Sequence, residues 1–448
     1  MPMGSTSRWT LAFFGCALAC LVGALGLMSA GLAYPHAALM APQTLIMVHL
    51  VAIGWLTLLM LGALLQFLPV LVGGPLRAAG WAPLVLVLIV GGLALLLAGF
   101  AAMDGWPGLP AEILPLGGLL LLGGLGLAAF MLFATLFRAR SLPLPAGFVA
   151  LALLSVLVAA LLGETLASAI AGLFGGDFAM AIVTHGVPLH AGFGLGGWLT
   201  LAAMGVSYRL VSMFLVAPER QGVLPRLAWW SGMAGLAALC TGFGVLLASN
   251  APLPLALGVA ALAGLVAVFA YAGDIAMLYR GRRRRALELH MGAAIAAFAA
   301  LPISAVWLVL AAARESEAGL AAALYLLAFG WLGGLGLAML YKIIPFLTWL
   351  ECFAPFMGRK PVPRVQDLVR EPRARAWFGL YFAGVALGAA MMQLALPPAV
   401  QVAAGLQLLA CLLLIRQFYR ARLLADLPAD WHDFPRPRLL LPQQRSLL

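Results

Sequence analysis

Twelve apolar stretches, most of about twenty residues or more, follow one another along this 448-residue chain, cut only by short breaks rich in charge, proline or glycine. They lie at 9–33, 42–73, 82–103, 113–137, 146–174, 179–215, 227–249, 253–279, 287–313, 319–350, 376–396 and 398–419. A stretch of this length crosses a bilayer as one α-helix, and none carries the period-two alternation of a barrel strand. Lipid offers the backbone no hydrogen bonds, so each stretch has to satisfy its own amides, which a helix does. The composition agrees: 64% of residues are hydrophobic and 9% charged, too few charges to clothe a soluble enzyme of this size. The expected fold is an all-α polytopic membrane protein, a single membrane domain over 1–448 whose residues 425–448 form a cytoplasmic tail.

The net charge of +11 does not mark a nucleic-acid binder, because the basic residues sit at helix ends. Of 26 Lys and Arg, all but Arg314 fall on one side of the twelve-span arrangement. The positive-inside rule then places both termini in the cytoplasm, as in a multi-pass protein of a bacterial-type inner membrane. The run Arg282 to Arg285 and the loop from Arg359 to Arg375 read as anchors on anionic lipid, the expected partner. Residues 1–33 carry some signal-peptide features, but their apolar stretch exceeds the usual length of about 7–15 residues, so they read as a retained first helix. Five cysteines, Cys16, Cys20, Cys240, Cys352 and Cys411, imply no disulfide framework. Cys16 and Cys20, four apart, read as small packing residues rather than a copper site.

One pattern occurs three times. Residues 54–57 and 197–200 both read Gly-Trp-Leu-Thr, and residues 330–333 read Gly-Trp-Leu-Gly. In the same register Gln66, Arg209 and Lys342 align, then Pro69, Ser212 and Pro345. Each copy lies in the second of four spans, which divides the chain into repeats of approximately 1–140, 141–285 and 286–424. Equivalent helices running in one direction are compatible with a threefold axis along the membrane normal.

Ionisable residues within apolar spans are costly and therefore candidates for function. His49 lies in span 2, His185 and His190 in span 6, and Glu164 in span 5, all in the half expected to face outward. A neutral imidazole ligates haem iron or copper, and two on different helices can clamp one group. His185 and His190, five residues apart, point about 140° away from each other on a regular helix, although Pro188 between them frees the carbonyl of Thr184. His36, His290 and His432 read as structural. Arg209 and Lys342, late in their spans, can snorkel to the inner interface. The sequence holds no phosphate-binding loop, no dinucleotide fingerprint and no Cys-x-x-Cys-His attachment site for a c-type haem.

Twelve spans in three groups of four, with histidines on spans 2 and 6, resemble subunit I of the haem-copper oxidase superfamily. The segment from His49-Leu50 through Gly-Trp-Leu to Leu68-Pro69 is most similar to the second helix of the nitric oxide reductase and cbb3-type branch, and His185 to Met213 is also similar to that branch. The resemblance implies that His49 is an axial ligand of a b-type haem, with His190 or His185 as second ligand and copper as a further candidate. The family's other metal ligands are missing: span 7 has no histidine, and Ala323 to Phe329 of span 10 has none. The expectation is a divergent member without a complete oxygen- or NO-reducing centre. It would bind haem in respiratory electron transfer, NO or O2 sensing or oxidase assembly, beside cytochrome or respiratory subunits. The alternative is a metal-free transporter of a small solute or protons, with Glu164 in a proton relay.

Overall fold

The structure, a computed structural model, describes residues 3–108, 110, 112–139, 141–218, 222–249, 253–428, 431 and 434–437. Arg140, Arg220, His432, Arg438 and Arg445 lie outside the described residues. Twelve helices are long and apolar enough to cross a membrane: α1 (Arg8–Ser29), α2 (Pro42–Val72), α3 (Ala79–Met103), α4 (Ile113–Leu136), α5 (Leu144–Ile170), α6 (Gly176–Leu215), α7 (Val223–Ala248), α8 (Pro254–Arg280), α9 (Leu289–Ala313), α10 (Glu317–Cys352), α11 (Glu371–Gln393) and α12 (Pro397–Arg422). Every boundary falls within five residues of the hydropathy reading. No strand occurs among the described residues.

The starts and stops have local causes. Proline stands in the first turn of α2, α5, α8, α11 and α12, where its missing N–H costs nothing. The side chain of Ser316 caps α10 by accepting from the Gly319 amide at 3.1 Å. α2 stops at Gly73, whose left-handed backbone (φ 62°) suits a residue without Cβ. Successive helices pack as neighbours, and the ring closes where α12 lies against α1. α6 and α10 are the most enclosed, whereas α7 and α8 are the least buried by the other helices.

α2, α6 and α10, the three helices that carry the repeated sequence, share a departure from α-helical geometry. Each contains a π-helical stretch, Leu50–Thr57, Gly192–Thr200 and Leu326–Gly333, and all three end at the same residue of the repeat. The glycine that opens each motif meets an earlier helix. A Cβ on Gly54 would lie 2.8 Å from the Cys20 sulfur on α1, one on Gly330 would lie 3.0 Å from Ala300 on α9, and one on Gly197 would strike Ser155 on α5. The tryptophans Trp55, Trp198 and Trp331 are buried. The Trp198 indole donates to the Thr57 hydroxyl at 2.9 Å, tying α6 to α2. The third copy has Gly333 in place of that threonine, and it is Gly333 that Trp55 Nε1 approaches. Trp55 Nε1 has no acceptor among the described residues.

Replacing Gly54 by alanine is expected to destabilise the protein by about 1–3 kcal/mol through overpacking against Cys20. Gly91→Ala, where a Cβ meets nothing within 4 Å, is expected to be neutral or to stabilise by up to about 1 kcal/mol. Thermal unfolding of the two variants in one detergent is the check, and equal midpoints would refute the close-approach argument.

Candidate functional site

The last α-helical turn before two of the π stretches carries a histidine. His49 is the residue before Leu50, and His190 comes two residues before Gly192. A π stretch shifts the register of all that precedes it, and such stretches occur often at functional sites. Here the two imidazoles meet, with ring centroids 6.2 Å apart and planes inclined by 27°. Phe100 of α3 also packs on His49, with ring centroids 5.0 Å apart. Gly163 of α5 makes room for His190, since a Cβ there would fall 2.9 Å from the ring carbon Cε1.

Hydrogen bonds fix the chemistry of both rings. His49 Nδ1 donates to the Leu45 carbonyl at 2.8 Å and His190 Nδ1 donates to the Ala159 carbonyl at 3.0 Å. A carbonyl oxygen only accepts, so each Nδ1 carries the proton and each Nε2 presents a lone pair, the arrangement usual for metal-binding histidines. Two imidazoles holding one metal from opposite sides at about 2.0–2.1 Å per bond have centroids about 6 Å apart. The observed 6.2 Å agrees with that separation. Among the described residues no third His, Cys, Asp or Glu joins the pair. A bare zinc or copper ion calls for three or four protein donors, whereas haem iron brings four nitrogens of its own and asks for one or two.

Among the described residues His185 makes no ring contact with His49 or His190 and is half-buried, in keeping with the angle expected from its spacing to His190. Glu164 lies on α5 one residue beyond Gly163. Its Oε1 accepts from Ser168 at 2.9 Å, while Oε2 sits against Gly118 with no hydrogen-bond partner among the described residues.

Two features escaped the sequence reading. Tyr325 stands five residues before Gly330, the register that His49 holds before Gly54, and it too immediately precedes a π stretch. Its hydroxyl accepts from Gln407 of α12. Carrying the repeat alignment five residues upstream reveals it. The second is a charged cluster at the other ends of these helices. Lys342 does not snorkel free: its ammonium donates to Glu288 Oε2 at 2.6 Å, with both side chains largely buried. Arg284 pairs with the same carboxylate, His290 Nδ1 lies 3.5 Å from it, and the Phe214 ring packs edge-on to His290 and under Lys342.

Burial pushes the Glu288 carboxyl up, but the hydrogen bond and charge of Lys342, with His290 and Arg284, outweigh it and hold the pKa below the ordinary 4.5. A depressed carboxyl stabilises the fold above its unfolded pKa and loses that contribution as pH falls through the folded value. The melting temperature is therefore expected to drop between about pH 5 and pH 3. Glu288→Gln is expected to remove part of that drop. The rest stays with Asp426, which burial pushes up but Arg420 and Arg370 together hold low. An unchanged acid profile in Glu288→Gln would refute this assignment.

Compared with models of known protein families the chain matches none, and a comparison with curated proteins likewise finds no match.

Proposed function

We propose that this integral membrane protein holds one b-type haem between His49 and His190 and serves in electron transfer. The observation that carries the reading is the pair of neighbouring imidazoles, each with Nδ1 committed to a backbone carbonyl and the Nε2 lone pair left for iron. Haem iron would supply one-electron chemistry there. Two histidines holding the iron would favour an electron carrier over a centre that binds O2 or NO, which needs an open position. The role of the chain is to set the tautomer and aim of each ring, through the Leu45 and Ala159 carbonyls, and to exclude water with Phe100.

The repeated Gly-Trp-Leu helices support a scaffold like that of haem-copper oxidase subunit I, with three groups of four helices about a pseudo-threefold axis. In this reading the basic helix ends face the cytoplasm of a bacterial-type inner membrane, and the histidine pair lies in the outer half, within reach of a cytochrome or other respiratory subunit. Service in oxidase assembly fits the same site. The second reading, transport of protons or a small solute without metal, rests on Glu164, whose Oε2 is a carboxyl oxygen without a partner among the described residues. That atom would take up and release the proton.

Purified protein from haem-supplied cells is expected to give a b-type reduced-minus-oxidised spectrum and iron at about one haem per chain. His49→Ala and His190→Ala are each expected to lose the band and His185→Ala to keep it. Colourless, iron-free protein would overturn the haem reading and leave transport, with pH-dependent uptake abolished in Glu164→Gln, as the surviving one.

A further inference from the structure

α2 and α6 run side by side in one register. His190 of α6 meets His49 of α2, and eight residues further along each helix Trp198 donates to Thr57 at 2.9 Å. Both pairs are 141 residues apart in the chain. Residues four apart share a helix face, so the level midway between the two contacts sets Gly194 of α6 opposite Ile53 of α2. That level is not filled: a Cβ on Gly194 would have no atom within 4 Å, Ile53 included. Gly194, Ile53 and both imidazoles are half-buried, so uncovered surface continues from the rings to this level.

The gap belongs to α6 alone of the three motif-bearing helices. Three residues before the motif glycine stands Gly194 in α6, but Val51 in α2 and Leu327 in α10, both buried. In a spanning helix a glycine admits a neighbouring helix. Gly192 and Gly197 of the same π stretch do so, since a Cβ on the first would lie 3.0 Å from Leu239 of α7 and one on the second would strike Ser155 of α5. Gly194 admits no helix, and the other use of a bare backbone is the close approach of a ligand.

Iron held between Nε2 atoms of α2 and α6 sets its macrocycle across the line joining them, parallel to the two helices and between them. A flat space then has to continue past the rings along the helices. Gly194 lies about 6 Å along the axis from His190, close to one helical turn. We propose that Gly194 forms one wall of the haem slot: its bare backbone and the Ile53 side chain flank the macrocycle on either face, and the Trp198–Thr57 hydrogen bond closes the slot one turn further on. The assignment rests on the haem reading above.

Gly194→Leu tests it, with Gly196→Leu as the control. Gly196 also has nothing within 4 Å of a Cβ, but it is exposed and lies two residues along, on another side of α6. Both positions are open, so both variants are expected to elute as monodisperse protein in detergent. Purified from haem-supplied cells, Gly194→Leu is expected to lose the b-type band and its iron, and Gly196→Leu to keep both. Gly194→Ala, the gentler change should the leucine variant not fold, is expected to release haem to apomyoglobin about fivefold faster than the unsubstituted protein. With the band present in the unsubstituted protein, three results would each overturn the slot and leave the haem reading standing: full haem in Gly194→Leu, equal loss in the two leucine variants, or unchanged release from Gly194→Ala. An unsubstituted protein without haem would overturn both.

Discussion

The arrangement depends on how closely three helices can approach at Gly54, Gly197 and Gly330. Within lipid no hydrophobic force draws one apolar helix to another, so association rests on close packing and a few interhelical hydrogen bonds. The motif supplies both. Its glycine lets an earlier helix sit against the backbone, as Cys20 does against Gly54, and its tryptophan fills the interior beside it. Trp198 adds the hydrogen bond to Thr57. These contacts hold α2 against α1, α6 against α5 and α10 against α9, and the Trp198 bond ties α6 to α2, the two helices whose imidazoles meet toward one end.

The polar groups follow the economics of a solvent that satisfies nothing. Several are committed to specific partners. The Glu288 carboxylate gathers Lys342, Arg284 and His290 into one cluster near the start of α9, and Phe214 covers it. The Nδ1 atoms of His49 and His190 are spent on carbonyls of Leu45 and Ala159, which leaves each Nε2 as a donor aimed by the backbone itself. Glu164 differs, with one oxygen bonded to Ser168 and the other resting on Gly118.

Much of the architecture was legible in advance because lipid imposes a one-dimensional rule. About twenty apolar residues make a span, and a charge or a proline ends it. The motif could also be read directly, since a shared glycine and tryptophan need no geometry to be noticed. The π stretches could not be read, because a single inserted turn residue is decided by what the helix packs on and leaves no composition signal. The same holds for Lys342, whose partner Glu288 lies 54 residues away.

The sequence by itself determined the number of spans, their ends, the three motif-bearing helices and the short set of ionisable residues that lipid makes expensive. Only the tertiary structure decided among those residues. It brought His190 rather than His185 to His49, since which face of α6 turns toward α2 depends on the π register and on the notch that Gly163 leaves in α5.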